Sequence, residues 1–129
     1  MKKILIIDDE KDILTYLDTL FKDNGYETVL ADNADEGLEK ARSENPDLIS
    51  LDINMPEKTG TRAYRTLKED EKLKGIPVVV VTAITGAGGD PEGYKRFLSS
   101  RKAVPAPEGF VPKPIKKDEL IKTVKDLIG

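Results

Sequence analysis

The chain contains no cysteine and no histidine. The first absence excludes disulfides, thiolate nucleophiles and Cys-ligated metals. The second removes the commonest general base and the commonest transition-metal ligand. No apolar run approaches the roughly 18 residues that a membrane-spanning helix needs. The start, Met1-Lys2-Lys3, leads into a short apolar run, Ile4–Ile7, before Asp8, Asp9 and Glu10 stop it; that is too short for the core of a signal peptide. The cytoplasm is therefore the expected compartment, and no membrane is expected as a partner. A basic excess is also missing. Twenty-one Lys+Arg face 24 Asp+Glu, for a net charge of −3, whereas sequence-independent nucleic-acid binding needs a basic stripe. Direct nucleic-acid contact is not expected. Chemistry must run on carboxylates, hydroxyls, amides and lysine, and any metal would be a hard cation such as Mg2+, Mn2+ or Ca2+.

What the 129 residues do contain suits one domain. Continuous apolar runs occur at Ile4–Ile7, Leu48–Leu51 and Val78–Val81. They are strand-length and rich in Ile and Val, the pattern of a parallel sheet covered on both faces. Thr28–Ala31 is a weaker strand, and Gly109–Val111 a short one closed by Pro112. Between them lie segments of helical period. Ile13, Leu14, Leu17, Leu20 and Phe21 form one stripe, stopped by Asn24-Gly25. Ala34, Gly37, Leu38 and Ala41 follow, with Asn33 as N-cap and Asn45-Pro46 as stop. Ala63, Tyr64 and Leu67 mark a third helix after the turn Pro56–Gly60. Asp90-Pro91 opens a fourth carrying Tyr94, Phe97 and Leu98. Leu120, Ile121, Val124, Leu127 and Ile128 mark a fifth, with Asp118 near its cap. The expected fold is α/β: a doubly wound, five-stranded parallel sheet with five helices. The Gly- and Pro-rich region 85–109 is expected to form extended loops around the fourth helix.

Ligands of open α/β sheets bind at the carboxyl ends of the strands, so the residues ending each strand matter most. Asp8-Asp9, then Glu10, end the first. Asp52 ends the third, Thr82-Ala83 the fourth and Pro112-Lys113-Pro114 the fifth. Two carboxylates at about 4 Å and an effective dielectric near 20 repel by roughly 4 kcal/mol. A divalent cation, Lys113 or a proton must offset that. Each residue alone has a plainer reading. Asp8 or Asp9 could cap the first helix, Asp52 could shape a turn, Thr82 could be an ordinary strand-end hydroxyl and Lys113 a solvated lysine. Their joint placement at strand ends argues otherwise. Nucleotide motifs fail: no P-loop occurs, and Gly86-Ala87-Gly88-Gly89 is followed by Asp90 and Pro91, which suit a flexible loop and not a phosphate cradle.

These residues resemble the receiver domain of two-component response regulators, the CheY-like (flavodoxin-like) fold, over Lys3 to Ile128. The resemblance implies a single receiver domain, 1–129, with no output domain. It implies a signalling switch that takes a phosphoryl group onto Asp52 from a phosphohistidine on a sensor histidine kinase or phosphotransfer protein, and then acts on a downstream protein target. The cofactor would be Mg2+, or alternatively Mn2+, held by Asp9, Asp52, the Asn54 carbonyl and, through water, Asp8. Thr82, Ala83 and Lys113 would bind the phosphoryl group. Thr82 and Phe110 would be the switch pair, moving the face formed by the fourth helix and fifth strand. Asn54 and Ile84 would tune dephosphorylation, Ile84 slowing it, and the peptide before Pro114 would be cis. The chain would be no enzyme beyond catalysing its own phosphorylation and dephosphorylation. Two departures stand out. Thr82 to Lys113 is longer than in most of the family, and Pro112 precedes the lysine. Two other readings are a small Mg-dependent phosphatase with an aspartyl nucleophile, which would need a strand-end D-x-D that is absent, and a pseudo-receiver that docks without being modified.

Overall fold

Ile4 and Ile6 belong to one hydrophobic cluster and Leu5 and Ile7 to another. Successive side chains of a strand point to opposite faces, so an unbroken apolar run means a strand buried on both sides. The computed structural model bears this out and describes residues 1–53, 55, 59–83 and 106–129. Its elements are β1 (Lys3–Ile7), α1 (Lys11–Asp23), β2 (Glu27–Ala31), α2 (Ala34–Glu44), β3 (Leu48–Leu51), α3 (Thr59–Glu69), β4 (Val78–Ala83), β5 (Gly109–Lys113) and α4 (Lys117–Ile128). The strands form one sheet in the order β2-β1-β3-β4-β5, and every adjacent pair is parallel. Four helices are described where five were expected. The missing one, with Tyr94, Phe97 and Leu98, lies outside the described residues, as does most of region 85–109.

The two faces have separate cores. On one, Leu14, Leu17 and Phe21 of α1 and Leu120 and Val124 of α4 pack with Ile4, Ile6, Val79, Val81 and Val111. On the other, Ala34 and Ala41 of α2 and Ala63, Tyr64 and Leu67 of α3 pack with Leu5, Ile7, Ile49, Leu51, Val78 and Val80. Each such Ile, Leu or Val contributes about 1.5–3 kcal/mol by leaving water. The weak pattern of β2 has a cause: it is an edge strand, and Thr28, Val29 and Leu30 are only half-buried.

Local signals set the element ends. After α1 the Gly25 N–H donates to the Lys22 carbonyl at 3.1 Å and the Tyr26 N–H to the Phe21 carbonyl at 3.0 Å. That pair of bonds needs the left-handed backbone that Gly25 adopts, φ +89°, and the Phe21 and Tyr26 rings meet edge-on across it. The Asn33 side chain accepts from the Glu36 N–H at 2.8 Å and caps α2. Asn45, left-handed at φ 49°, ends that helix. One boundary differs from expectation. Pro112 does not close β5, which runs on to Lys113. Because β5 is the other edge strand, a residue without an N–H is tolerated there. That extension carries Lys113 to the rim.

Candidate functional site

The parallel ladder continues one residue past β1 and β3. The Asp8 N–H donates to the Ala31 carbonyl at 3.1 Å, and the Asp52 N–H donates to the Ile7 carbonyl at 2.9 Å. Both carboxylates are thereby fixed side by side at the carboxyl edge of the sheet, 1% and 2% exposed. On β4, Thr82 is fully buried, and its hydroxyl donates to Asp52 Oδ1 at 2.7 Å. Ala83 is the last residue of β4 and is paired in register with Lys113. Lys113 Nζ reaches back over the edge to Asp8 Oδ2 at 3.1 Å, Glu10 Oε1 at 3.2 Å and Asp52 Oδ2 at 3.4 Å. The Lys113–Pro114 peptide is cis.

Asp9 and Glu10 are exposed, and with Asp8 and Asp52 they bring four carboxylate oxygens within 4.8 Å of one another. Among the described residues, four acids around one lysine leave a surplus of negative charge. The Asp8 carboxyl feels it. Burial, aided by the Asp52 charge, pushes its pKa up to about 6, although the Glu10 N–H and Lys113 work against the rise. Burial alone would lower the Lys113 ammonium, but the Asp52, Asp8 and Glu10 carboxylates override it and hold its pKa above the ordinary lysine value. Closely set hard oxygens with excess charge, half buried and half open to solvent, fit a hard divalent cation.

Asp8, Asp9, Asp52, Thr82 and Lys113 thus meet as expected. Asn54 and Ile84 lie outside the described residues. Phe110, on β5, is half-buried and packs against the α2–α3 core, on the same strand as Lys113. Two residues at the site received no role from sequence alone. Glu10 was visible only as a further acid after the pair. Gly60 sits in the first turn of α3, where a Cβ would stand 2.5 Å from Ile53 Cα and 2.7 Å from the Asp52 carbonyl oxygen. Its lack of a side chain is what lets α3 approach the backbone that leaves Asp52. From sequence Gly60 closes the turn Pro56–Gly60, whereas α3 already starts at Thr59, so the only signal was a glycine shortly after the end of β3.

Comparison with known proteins agrees with this geometry. The model of the response regulator receiver domain matches residues 4–125. The polar-differentiation response regulator DivK of Brucella anthropi is 34% identical over 128 residues, covering 99% of this chain and 97% of the relative. DivK of Brucella ovis matches equally. Among solved structures, the chemotaxis protein CheY4 of Vibrio cholerae superimposes with a TM-score of 0.82 at 31% identity, covering 99% of both chains. The receiver domain of the Francisella response regulator 1452 gives 0.77 at 28% identity, over 98% of this chain and 96% of that one.

Proposed function

The chain belongs to the response regulator receiver family, phosphoacceptor switches of signal transduction, and on that premise we propose that Asp52 is the phosphoacceptor. The observation that carries this is the convergence of Thr82 and Lys113 on the two oxygens of one buried carboxylate.

Phosphoryl transfer asks a protein mainly for position and charge neutralisation. An Asp52 oxygen attacks phosphorus in line. The P–N bond to the donor imidazole breaks, its electron pair stays on that nitrogen, and an aspartyl phosphate remains. This chain has no histidine, so the phosphohistidine sits on a kinase or phosphotransfer partner. Lys113 turns its ammonium from the carboxylate to the incoming phosphoryl oxygens, and Thr82 does the same with its hydroxyl. Asp9 and Asp52, with Asp8 through water and the Asn54 carbonyl, would hold Mg2+ or Mn2+. Such a cation would absorb charge on the transferred oxygens. Thr82 is one strand from Phe110, so its move toward phosphate frees space that Phe110 can take, and β5 presents the change to a downstream protein. Among the described residues no helix is long and apolar enough to cross a membrane; a cytoplasmic switch accords with that. The chain's chemistry is limited to gaining and losing its own phosphate.

The test is incubation with Mg2+ and acetyl phosphate, read by intact mass. One phosphoryl adduct on the native chain and none on Asp52→Asn is expected. No adduct, or an equal adduct on the variant, overturns the assignment.

A further inference from the structure

We propose that Glu10 is a positioning residue for Lys113: its carboxylate seats the ammonium at the margin of the acidic pocket, so that lysine and a bound divalent cation share the Asp8 and Asp52 carboxylates without displacing each other. The inference deepens the reading above and rests on it for its purpose.

An ammonium has three N–H donors. Among the described residues, Lys113 Nζ has three carboxylate neighbours, at 3.1, 3.2 and 3.4 Å, one for each proton. All three belong to the group of acids that could hold a cation, and two of them, Asp8 and Asp52, are buried. A cation entering there must draw on the charge that holds Lys113, and two positive centres in a half-buried pocket repel. Glu10 is the neighbour that differs, with its side chain 60% exposed. It offers the ammonium a partner on the solvent side that remains when the buried acids are engaged.

The backbone aims it there. The Glu10 N–H donates to Asp8 Oδ1 at 2.9 Å, while Asp8 Oδ2 accepts from Lys113. One carboxylate thus fixes both ends of the Glu10–Lys113 contact. The plainer role for a residue here is to cap α1, which starts at Lys11. Glu10 occupies the N-cap position, but its side chain makes no capping hydrogen bond. The carboxylate is spent on the lysine.

Two accounts must be separated: Glu10 acting through Lys113, and Glu10 acting directly on the cation as one more charge or ligand. A double-mutant cycle does this. Mn2+ and Mg2+ affinities are measured by calorimetry at physiological salt on the full chain, on Glu10→Gln and Lys113→Met, and on the double variant, with Lys113→Gln as a second background. Acting through the lysine, Glu10→Gln weakens binding about fivefold, the scale of a partly exposed charge pair, and loses at least half of that effect once Lys113 is gone. A loss of equal or greater size without the lysine, or no loss in the native background, overturns the assignment. Glu10→Asp adds a second readout. It keeps the charge but is one methylene short of Lys113, and it should bind cation as weakly as Glu10→Gln; native affinity overturns the proposal. None of these readouts needs phosphate. Coupling without any phosphoryl adduct would defeat the reading of Asp52 and leave Glu10 standing, and an adduct without coupling would do the reverse.

Discussion

Glu108 Oε1 lies 2.5 Å from Lys68 Nζ and also accepts the Val78 N–H at 2.8 Å. One carboxylate oxygen thus joins α3 to the starts of β4 and β5, at the opposite end of the sheet from the acidic site. The Lys68 side chain is only 2% exposed, whereas that of Glu108 is 34% exposed. Removing Glu108 strands a buried ammonium and a ladder N–H, so Glu108→Leu should cost about 3 kcal/mol. Lys68→Met removes the charge with the lysine stem's volume nearly kept and should cost under about 1.5 kcal/mol. Urea unfolding of the two variants checks this. Equal losses would mean that the pair carries no special burden.

Asp8 gives a pH dependence of definite sign. Its pKa rises from 3.8 in the open chain to about 6 in the fold, first through burial and then through the Asp52 charge. Between these values the native state holds the proton more tightly than the unfolded chain does. This contribution to stability is fully present below about pH 4 and is lost as pH climbs through 6. Roughly 2 units correspond to about 3 kcal/mol. Asp8→Asn cannot lose what it never titrates. The difference in unfolding free energy between native chain and variant, measured without metal from pH 4 to 7, should therefore grow in favour of the variant. A constant difference would contradict the burial argument.

Much of this site was legible because a parallel sheet gathers its strand ends. Asp8, Asp52, Thr82 and Lys113 each follow or close an apolar run, and the fold needs no further information to bring them to one rim. The Asn33 cap and the Asn24-Gly25 stop were legible because their partners lie within a few residues. What escaped has non-local causes. Lys68 and Glu108 are 40 positions apart and look like surface charges until α3 is laid on the sheet. Pro112 looks like a terminator unless β5 is known to be an edge strand. The grip of Glu10 on Lys113 spans 103 positions and depends on side-chain reach.

Gly60 carries a cost for the site that Gly75 does not. A Cβ at Gly60 would press on the backbone of Asp52 and Ile53, which cannot swing aside as a side chain can. Gly60→Ala should cost about 2 kcal/mol or more and slow phosphoryl uptake by displacing Asp52. At Gly75 a Cβ meets nothing within 4 Å, so Gly75→Ala should stay within about 0.5 kcal/mol and react at the native rate. Melting curves and acetyl phosphate kinetics on the pair decide it. A harmless Gly60→Ala would show that α3 can shift without disturbing the acids.

Asp9 separates cation binding from folding. Its side chain is exposed, so without metal Asp9→Asn should leave stability within about 0.5 kcal/mol, with a small gain where repulsion from Asp8, Glu10 and Asp52 is relieved. A ligand that binds only the folded state adds about 2.7 kcal/mol at 100 times its Kd. Magnesium should therefore raise the melting temperature of the native chain, and the rise should vanish in Asp9→Asn. Melts in a chelator and in excess Mg2+ give both numbers from one preparation. A variant that still gains the full magnesium shift would take Asp9 out of the metal set and leave the ion to the remaining groups, among them Asp8 and Asp52, which Lys113 already shares.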